Sequence, residues 1–334
     1  MKITVLMGGT SAERDVSLAS GLRVTAALRA CGHDVTALDP ARGIICREQE
    51  EAMRARGVVG TEPPSLEALR GLSDAALSPT LGTLPEVRDA EVVFLALHGG
   101  QGEDGTVQAL LDMIGATYTG SGRLASALAM DKDLSKTLFR VAGVPTADWT
   151  MAPAPAAQVA AVLGFPVVVK PSKQGSTVGL TVVRGPAALE AAVEEAFRYD
   201  DEVMIERFVA GRELTVSVLG DLALPVGEII PKHEIYDYEC KYTKGMATEV
   251  FPADLSATAT HTVQAYALAA FRALKLSGCA RIDFRLGEDG AFYCLEANTL
   301  PGMTELSLLP QAAQAHGMSF EQLCERIVEL AMGR

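Results

Sequence analysis

The sequence predicts an α/β unit built on a parallel, Rossmann-like sheet, followed by an α+β half in which strands and helices mix. Three observations predict this. A β-rich apolar run, a glycine turn, a helical stretch and a second apolar run succeed one another up to residue 38. The junction of an apolar strand with a glycine-rich loop recurs at 91–105. Past residues 120–122, strands alternate with helices and end in a hairpin at 279–298. At 334 residues, 49% hydrophobic and 21% charged, the chain can build two or three globular units and is too apolar to be disordered.

Residues 3–6 form the first expected strand. Gly8, Gly9, Thr10 and Ser11 make the turn, a helix covers 16–31 and stops at Gly32, and a second strand covers 35–38. In such a βαβ unit the turn lies at the strands' C-terminal edge, where ligands bind. Residues 42–89 break the pattern and read as a surface excursion carrying short helices. A buried strand at 91–97 then enters the loop 98–105 and a helix with Val107, Leu110, Leu111 and Ile114 on one face. After the 120–122 boundary, one helix is expected over 124–141, closing at Gly143 with Pro145 beyond. A helix at 157–163, strands at 167–169 and 180–183 around a loop at 170–179, a helix at 187–197 and a strand at 203–208 follow. Strands at 214–219 and 226–230 precede a polar, aromatic loop at 232–246, too large for a mere connection. A helix at 257–275, the hairpin with a turn at 287–290, and an amphipathic helix at 320–331 complete the chain. Trp149 and the apolar helix faces read as core. The expected domains are 1–121, 122–210 and 211–334.

Twenty-nine Lys and Arg stand against 42 Asp and Glu, and the formal charge of -13 repels phosphate backbones and anionic lipid. Neither nucleic acid nor a membrane is an expected partner. The six cysteines are scattered with no C-x-x-C pair, as expected of reduced thiols packed for structure. The apolar run from Ile3 to Met7 is cut short by Gly8 and Gly9, and no longer run could span a bilayer, so a cytoplasmic protein is expected.

Four segments carry chemistry. Along 279–286, Arg281, Asp283 and Arg285 alternate with Ile282, Phe284 and Leu286. A four-residue turn would set Leu286 opposite Ala291 and bring Glu296 and Asn298 to the face of Asp283. Those are hard oxygen donors of the kind Mg²⁺ takes when phosphates complete its shell. The plainer alternative is a solvated strand face on which Arg281 pairs with Glu296. Beyond the hairpin, Pro301-Gly302-Met303-Thr304 is a backbone-exposing turn whose N–H groups could stabilise an oxyanion. The loop from Lys170 to Gly179, with Lys173, Ser172, Ser176 and Thr177, suits a phosphate cradle, but Lys170 precedes the glycines and the P-loop pattern is not met. The first glycine turn lacks G-x-G-x-x-G, although Asp39 would suit a ribose hydroxyl, so NAD(P) chemistry has weak support. Glu13 reads either as a dipole-favoured acid at a helix start or as the partner of a substrate ammonium.

Six ordered segments, GGTSAERDVSLASG, ALHGGQGEDGTVQ, AMDK, VVVKPSKQGSTVG, YDYECKYT and CLEANTLPGMTELSLLP, closely resemble the D-alanine:D-alanine ligases of the ATP-grasp superfamily. The resemblance runs from Gly8 to Leu308 and thins around 42–89. It implies an ATP-grasp fold with an N-terminal Rossmann-like domain. It also implies ATP-dependent ligation of two D-alanines through a D-alanyl phosphate, for peptidoglycan precursors and hence cell-wall biogenesis and cell shape.

The same resemblance implies that Lys132 and Lys170 hold ATP phosphates, with Ser176 near them. Glu206 would read the adenine amine, flanked by Arg207, Phe208 and Val209, and Glu213 the ribose. Asp283, Glu296 and Asn298 would hold two Mg²⁺, with Mn²⁺ as a substitute. Glu13, with His98 beside it, would take the first ammonium, and Arg281 with the Gly302 N–H the tetrahedral oxyanion. Ser307 and the Leu308 N–H would take the second carboxylate. Lys241 and Tyr242 would close over the site with Ser176, and the family habit is a homodimer. Leu306, where some relatives carry His or Thr, and Arg207, where some carry Lys, depart from the pattern without removing a catalytic atom. The choice of D over L amino acids rests on the resemblance alone, and another carboxylate–amine ligase is the alternative.

Overall fold

Four of the five residues of β1 (Lys2–Leu6) are buried, the mark of a strand covered on both faces of a parallel sheet. The computed structural model describes residues 1–60, 72, 79–233, 235, 236, 240, 241, 243 and 245–333. β1 runs parallel to β2 (Asp34–Asp39), with Lys2 opposite Asp34, and to β4 (Val92–Leu95), with Ile3 opposite Val92. A short β3 (Gly43–Ile44) adds antiparallel to β2, giving the order β3-β2-β1-β4. The crossover helix α1 (Arg14–Ala30) buries Ser17 and Ser20 on its inner face. Ser17 accepts the Gly8 N–H at 2.7 Å and donates to the Ala96 carbonyl at 2.6 Å, so the helix fixes both glycine turns. Asp39 supports the first of these turns from the other side. It pairs with the buried Arg14 and accepts the N–H groups of Gly9 and Ala41, which makes it a brace for the turn rather than a ribose ligand.

The excursion after β2 carries α2 (Arg47–Arg56), a 3-10 turn (Pro79–Thr83) and α3 (Pro85–Arg88). Short helices are expected across 42–89 as a whole, and residues 61–71 and 73–78 of that span lie outside the described residues. After α4 (Thr106–Met113) the single helix expected at 124–141 is two, α5 (Arg123–Met130) and α6 (Lys132–Val141). Asp131, at ψ 104°, breaks the run, and its side chain accepts the Leu134 N–H at 3.0 Å as an N-cap. The aspartate in AMDK was the available signal.

The central sheet is antiparallel, in the order β5 (Trp149–Met151), β8 (Val203–Arg207), β6 (Val167–Pro171), β7 (Thr181–Val183), with α7 (Ala156–Val162) and α8 (Leu189–Ala196). β5 was not expected, and its Trp149 is half-buried rather than core. The indole N–H donates to Asp133 at 2.6 Å, and the Arg140 guanidinium lies 4.2 Å from the ring centroid. The C-terminal sheet runs β12 (Ala247–Val250), β11 (Gly227–Pro231), β9 (Gly211–Leu219), β13 (Cys279–Gly287), β14 (Phe292–Asn298), with β10 (Leu222–Ala223) on β9. α9 (Ala257–Ala273), α10 (Leu308–Ala315) and α11 (Phe320–Met332) complete the chain.

Helices stitch these sheets together. α11 returns to the first sheet, where Ile327 and Val328 share a core with Leu22 and Leu28 of α1. α5 and α6 pack on the C-terminal sheet, where Ala129 and Phe139 meet Ile282 and Phe284. All six cysteines are free thiols, and among the described residues no helix is long and apolar enough to cross a membrane. Phe139 is wholly buried while Val141, two residues on, is 81% exposed. Phe139→Ala should therefore destabilise the fold by about 3–5 kcal/mol and Val141→Ala by less than about 0.5 kcal/mol, as read from urea unfolding. Equal effects would contradict the docking of α6 on the C-terminal sheet.

Candidate active site

The hairpin of β13 and β14 is one residue off the expected register. Leu286 stands opposite Phe292, not Ala291, and the parity is restored by a bulge at Leu295, after which Asp283 pairs with Glu296 and Arg281 with Asn298. Without that bulge Leu295 would oppose Asp283. Asp283 receives the Thr215 hydroxyl at 2.8 Å and the Arg281 guanidinium at 2.9–3.1 Å, so Arg281 pairs with Asp283 rather than with Glu296. Glu296 lies 3.1 Å from the Lys132 ammonium. Burial alone would raise the Glu296 pKa, but Lys132, Lys241, Lys170 and Arg281 hold it down to about 2. The Asn298 Oδ1 is buried and has no hydrogen-bond partner. An unsatisfied buried oxygen costs about 1–3 kcal/mol, and here it sits beside two carboxylates. Among the described residues no three His, Cys, Asp or Glu side chains converge as a metal cluster. A hard cation held here would draw on two carboxylates and one amide oxygen and complete its shell from a ligand.

The loop after β6 turns back over this hairpin. Its Ser176 and Thr177 adopt left-handed conformations (φ 50° and 59°), a strained geometry for L residues. The Ser176 hydroxyl donates to Glu13, and Gly175 lies so close to Glu13 that a Cβ there would fall 3.0 Å from its Oε2. Glu13 stands at the N-cap of α1 yet makes no capping bond with its side chain, which points across to the loop instead. Lys132 donates to the Gln174 carbonyl at 2.8 Å, and Lys170 to Glu206 at 2.7 Å.

The turn at 300–304 is docked on the first sheet by His98, which the sequence reading singled out, and by Glu103, Ser20 and Arg23, which it passed over. Glu103 accepts the Gly99 N–H at 2.7 Å and the Leu300 N–H at 3.3 Å. His98 Nδ1 lies 3.0 Å from the Leu300 carbonyl, which can only accept, so Nδ1 carries the hydrogen. Burial holds the His98 pKa down, and the neutral ring's Nε2 accepts from the Ser20 hydroxyl at 3.0 Å. Ser20 in turn accepts the Met303 N–H at 3.1 Å, and Arg23 donates to the carbonyls of Met303 and Thr304. These bonds bracket Gly302. Ser307, at the N-terminus of α10, accepts the Thr304 N–H at 3.0 Å.

Two cavities result. The smaller, of about 80 Å³, is lined by Glu13, His98, Asn298, Gly302, Ser307 and Leu308. The larger, of about 140 Å³, is lined by Lys170, Glu206, Arg207, Phe208, Val209, Glu213 and Asp283. Lys132, Ser176, Lys241, Arg281 and Glu296 line both, so the two are chambers of one cleft meeting at the hairpin. Burial pushes the Glu213 carboxyl up while the neighbouring Arg285 opposes it at 3.1 Å. Every described site residue expected from sequence reaches this cleft, and Tyr242 lies outside the described residues. Glu103 and Tyr236 also line it, and Thr215 braces Asp283 from behind. Glu103 lay in plain view in the ALHGGQGEDG segment.

Family models described as the D-ala D-ala ligase N-terminus and C-terminus match residues 2–121 and 132–329. The chain is 42% identical to the D-alanine–D-alanine ligase of Syntrophotalea carbinolica, over 98% of this chain and 95% of that one. It is 43% identical to that of Geobacter sulfurreducens, over 98% and 93%. The structure of the Bacillus anthracis D-alanine–D-alanine ligase complexed with ATP superposes with a TM-score of 0.75 at 31% identity, covering 100% of this chain and 97% of that one.

Burial, with the Glu13 charge adding to it, pushes the Glu103 carboxyl up to about 8; Arg281 and the Gly99 and Leu300 N–H groups oppose the shift. The folded state thus keeps a proton that the unfolded chain releases near 4.5, and stability should fall as pH rises from about 4.5 through about 8. Glu103→Gln should flatten that part of the profile in urea unfolding at pH 5 to 8. An unchanged slope in the variant would contradict it.

Proposed function

The chain belongs to the D-alanine–D-alanine ligase family, and from that premise we propose how its cleft performs the reaction. It is an ATP-dependent ligase that joins two D-alanines into the dipeptide of peptidoglycan precursors. The γ-phosphoryl group of ATP passes to the carboxylate of the first D-alanine, giving an acyl phosphate and ADP. The amine of the second attacks the acyl carbon, losing a proton, and inorganic phosphate leaves. One observation supports this reading above the others: the larger and smaller chambers meet at Lys132, Arg281 and Glu296. A nucleotide in one and an amino acid in the other would therefore bring phosphate and carboxylate together.

In the larger chamber Lys132 and Lys170 take phosphate oxygens. Glu206, with Arg207, Phe208 and Val209 beside it, frames the adenine, and Glu213 the ribose. Asp283, Glu296 and Asn298 would hold Mg²⁺, two ions in this reading or Mn²⁺ in their place, which when bound neutralises charge on the transferring phosphate. In the smaller chamber Glu13 takes the first ammonium, and His98 acts beside it by fixing Leu300 and Ser20. Arg281 and the Gly302 N–H face the oxyanion of the tetrahedral intermediate. Ser307 and the Leu308 N–H, at the start of α10, take the second carboxylate. Lys241, Tyr242 and Ser176 close over the acyl phosphate and keep water out. We further propose that the domains divide at 1–121, 122–210 and 211–334 and that the enzyme works as a cytoplasmic homodimer.

The test is ADP release across D- and L-amino acids and D-hydroxy acids. Turnover with D-alanine far above all others is expected, and preference for another acceptor would overturn the substrate assignment. Glu296→Gln should lower turnover by about 10²–10³ with little change in melting temperature; full turnover at saturating Mg²⁺ would remove the hairpin from the mechanism. Loss of the charge-assisted bond in Glu13→Gln should raise the KM for the first D-alanine by about tenfold or more and leave ATP affinity nearly unchanged. A collapse of ATP binding would instead assign the first glycine turn to the nucleotide.

A further inference from the structure

Lys136 is a lysine with a wholly buried side chain, which is rare and requires partners for its charge. It follows Lys132 by one helical turn on α6 and so shares its face. Where Lys132 reaches Glu296, Lys136 reaches Glu206. The Lys136 ammonium also donates to the Thr146 hydroxyl at 2.5 Å, which donates on to the Cys294 carbonyl at 2.7 Å, and the Trp149 ring centroid lies 4.9 Å away. Lys136 lines neither chamber of the cleft, so it touches no substrate.

What lifts this above an ordinary buried ion pair is the far side of Glu206. One carboxylate oxygen receives Lys136 and the other receives Lys170 at 2.7 Å, and Lys170 stands on the wall of the larger chamber. Two ammoniums share one carboxylate. If Lys136 were absent, Glu206 and Lys170 would form a one-to-one pair in a water-poor site, and the Lys170 charge would be cancelled locally.

We propose that Lys136 is a positioning residue for the nucleotide: from behind the cleft it offsets the Glu206 carboxylate, so that Lys170 retains its positive charge for a phosphate of ATP. The inference rests on the ATP-dependent ligase reading and adds to it a residue that acts through two others. Burial lowers the Lys136 pKa, and the Glu206 carboxylate opposes that shift.

The test is a double-mutant cycle on the full-length enzyme. Lys136→Met should raise the KM for ATP by about tenfold or more while the KM for D-alanine stays within about twofold. Lys136→Met/Glu206→Gln removes the offset and the group it offsets together. Because Glu206 itself frames the adenine, the comparison is with Glu206→Gln alone: the double variant should keep the KM for ATP within about threefold of that single variant, a loss of effect that damaged packing would not produce. A double variant whose KM for ATP exceeds that of Glu206→Gln by about tenfold, or a folded Lys136→Met with an unchanged KM for ATP, would overturn the proposal. If Lys136→Met alone does not fold, the double variant decides: a KM for ATP matching that of Glu206→Gln supports the offset and a tenfold rise above it overturns it. Calorimetric titration of ATP without D-alanine gives the same comparison as a dissociation constant, so the result stands apart from whether the acceptor has been assigned correctly.

Discussion

Ionised groups in an enclosed cleft must be paired, and that constraint shapes the rest of this protein. Asp283 and Glu206 are buried and Glu296 is half-buried, and each is held by a cation: Asp283 by Arg281 of its own strand β13, Glu296 by Lys132 on α6, and Glu206 by Lys136 on α6 and Lys170 on β6. A carboxylate removed from water without such a partner would take up a proton and lose its charge. Burial would raise the Glu206 pKa, but Lys136 and Lys170 hold it down to about 2.

The fold can be understood as the scaffold that delivers these partners. Breaking one helix into α5 and α6 at Asp131 starts a new helix whose first turns present Lys132 and Lys136. The bulge at Leu295 returns Glu296 and Asn298 to the side of Asp283. α1 and the loop after β4 hold the 300–304 turn through Ser20, His98 and Glu103, so the first sheet sets the position of a C-terminal N–H group. No single sheet contains the site; it exists where the three are tied together.

Much of this was legible in the sequence. The βαβ start, the glycine loops at a strand edge and the alternation along Arg281, Asp283 and Arg285 are local patterns, and local patterns determine strands and turns. What escaped depends on partners distant in the chain. The short edge strands β5 and β12 exist because β8 and β11 offer them ladders. Asp39 suited a ribose by position, but Arg14 claims it. Trp149 looked like core and proved to be an edge residue under a guanidinium. Lys136 resembled any helix lysine, and only the packing of α6 against Glu206 reveals its burial.

The central claim is that the two chambers bring the terminal phosphate of ATP onto the carboxylate of an amino acid. It is tested most directly by supplying D-alanine labelled with ¹⁸O in its carboxylate and following the label into released phosphate. An acyl phosphate whose carbonyl carbon is attacked by the second amine must leave one labelled oxygen in each inorganic phosphate. Phosphate released without label during dipeptide synthesis would show that the carboxylate is never phosphorylated, and would contradict the account.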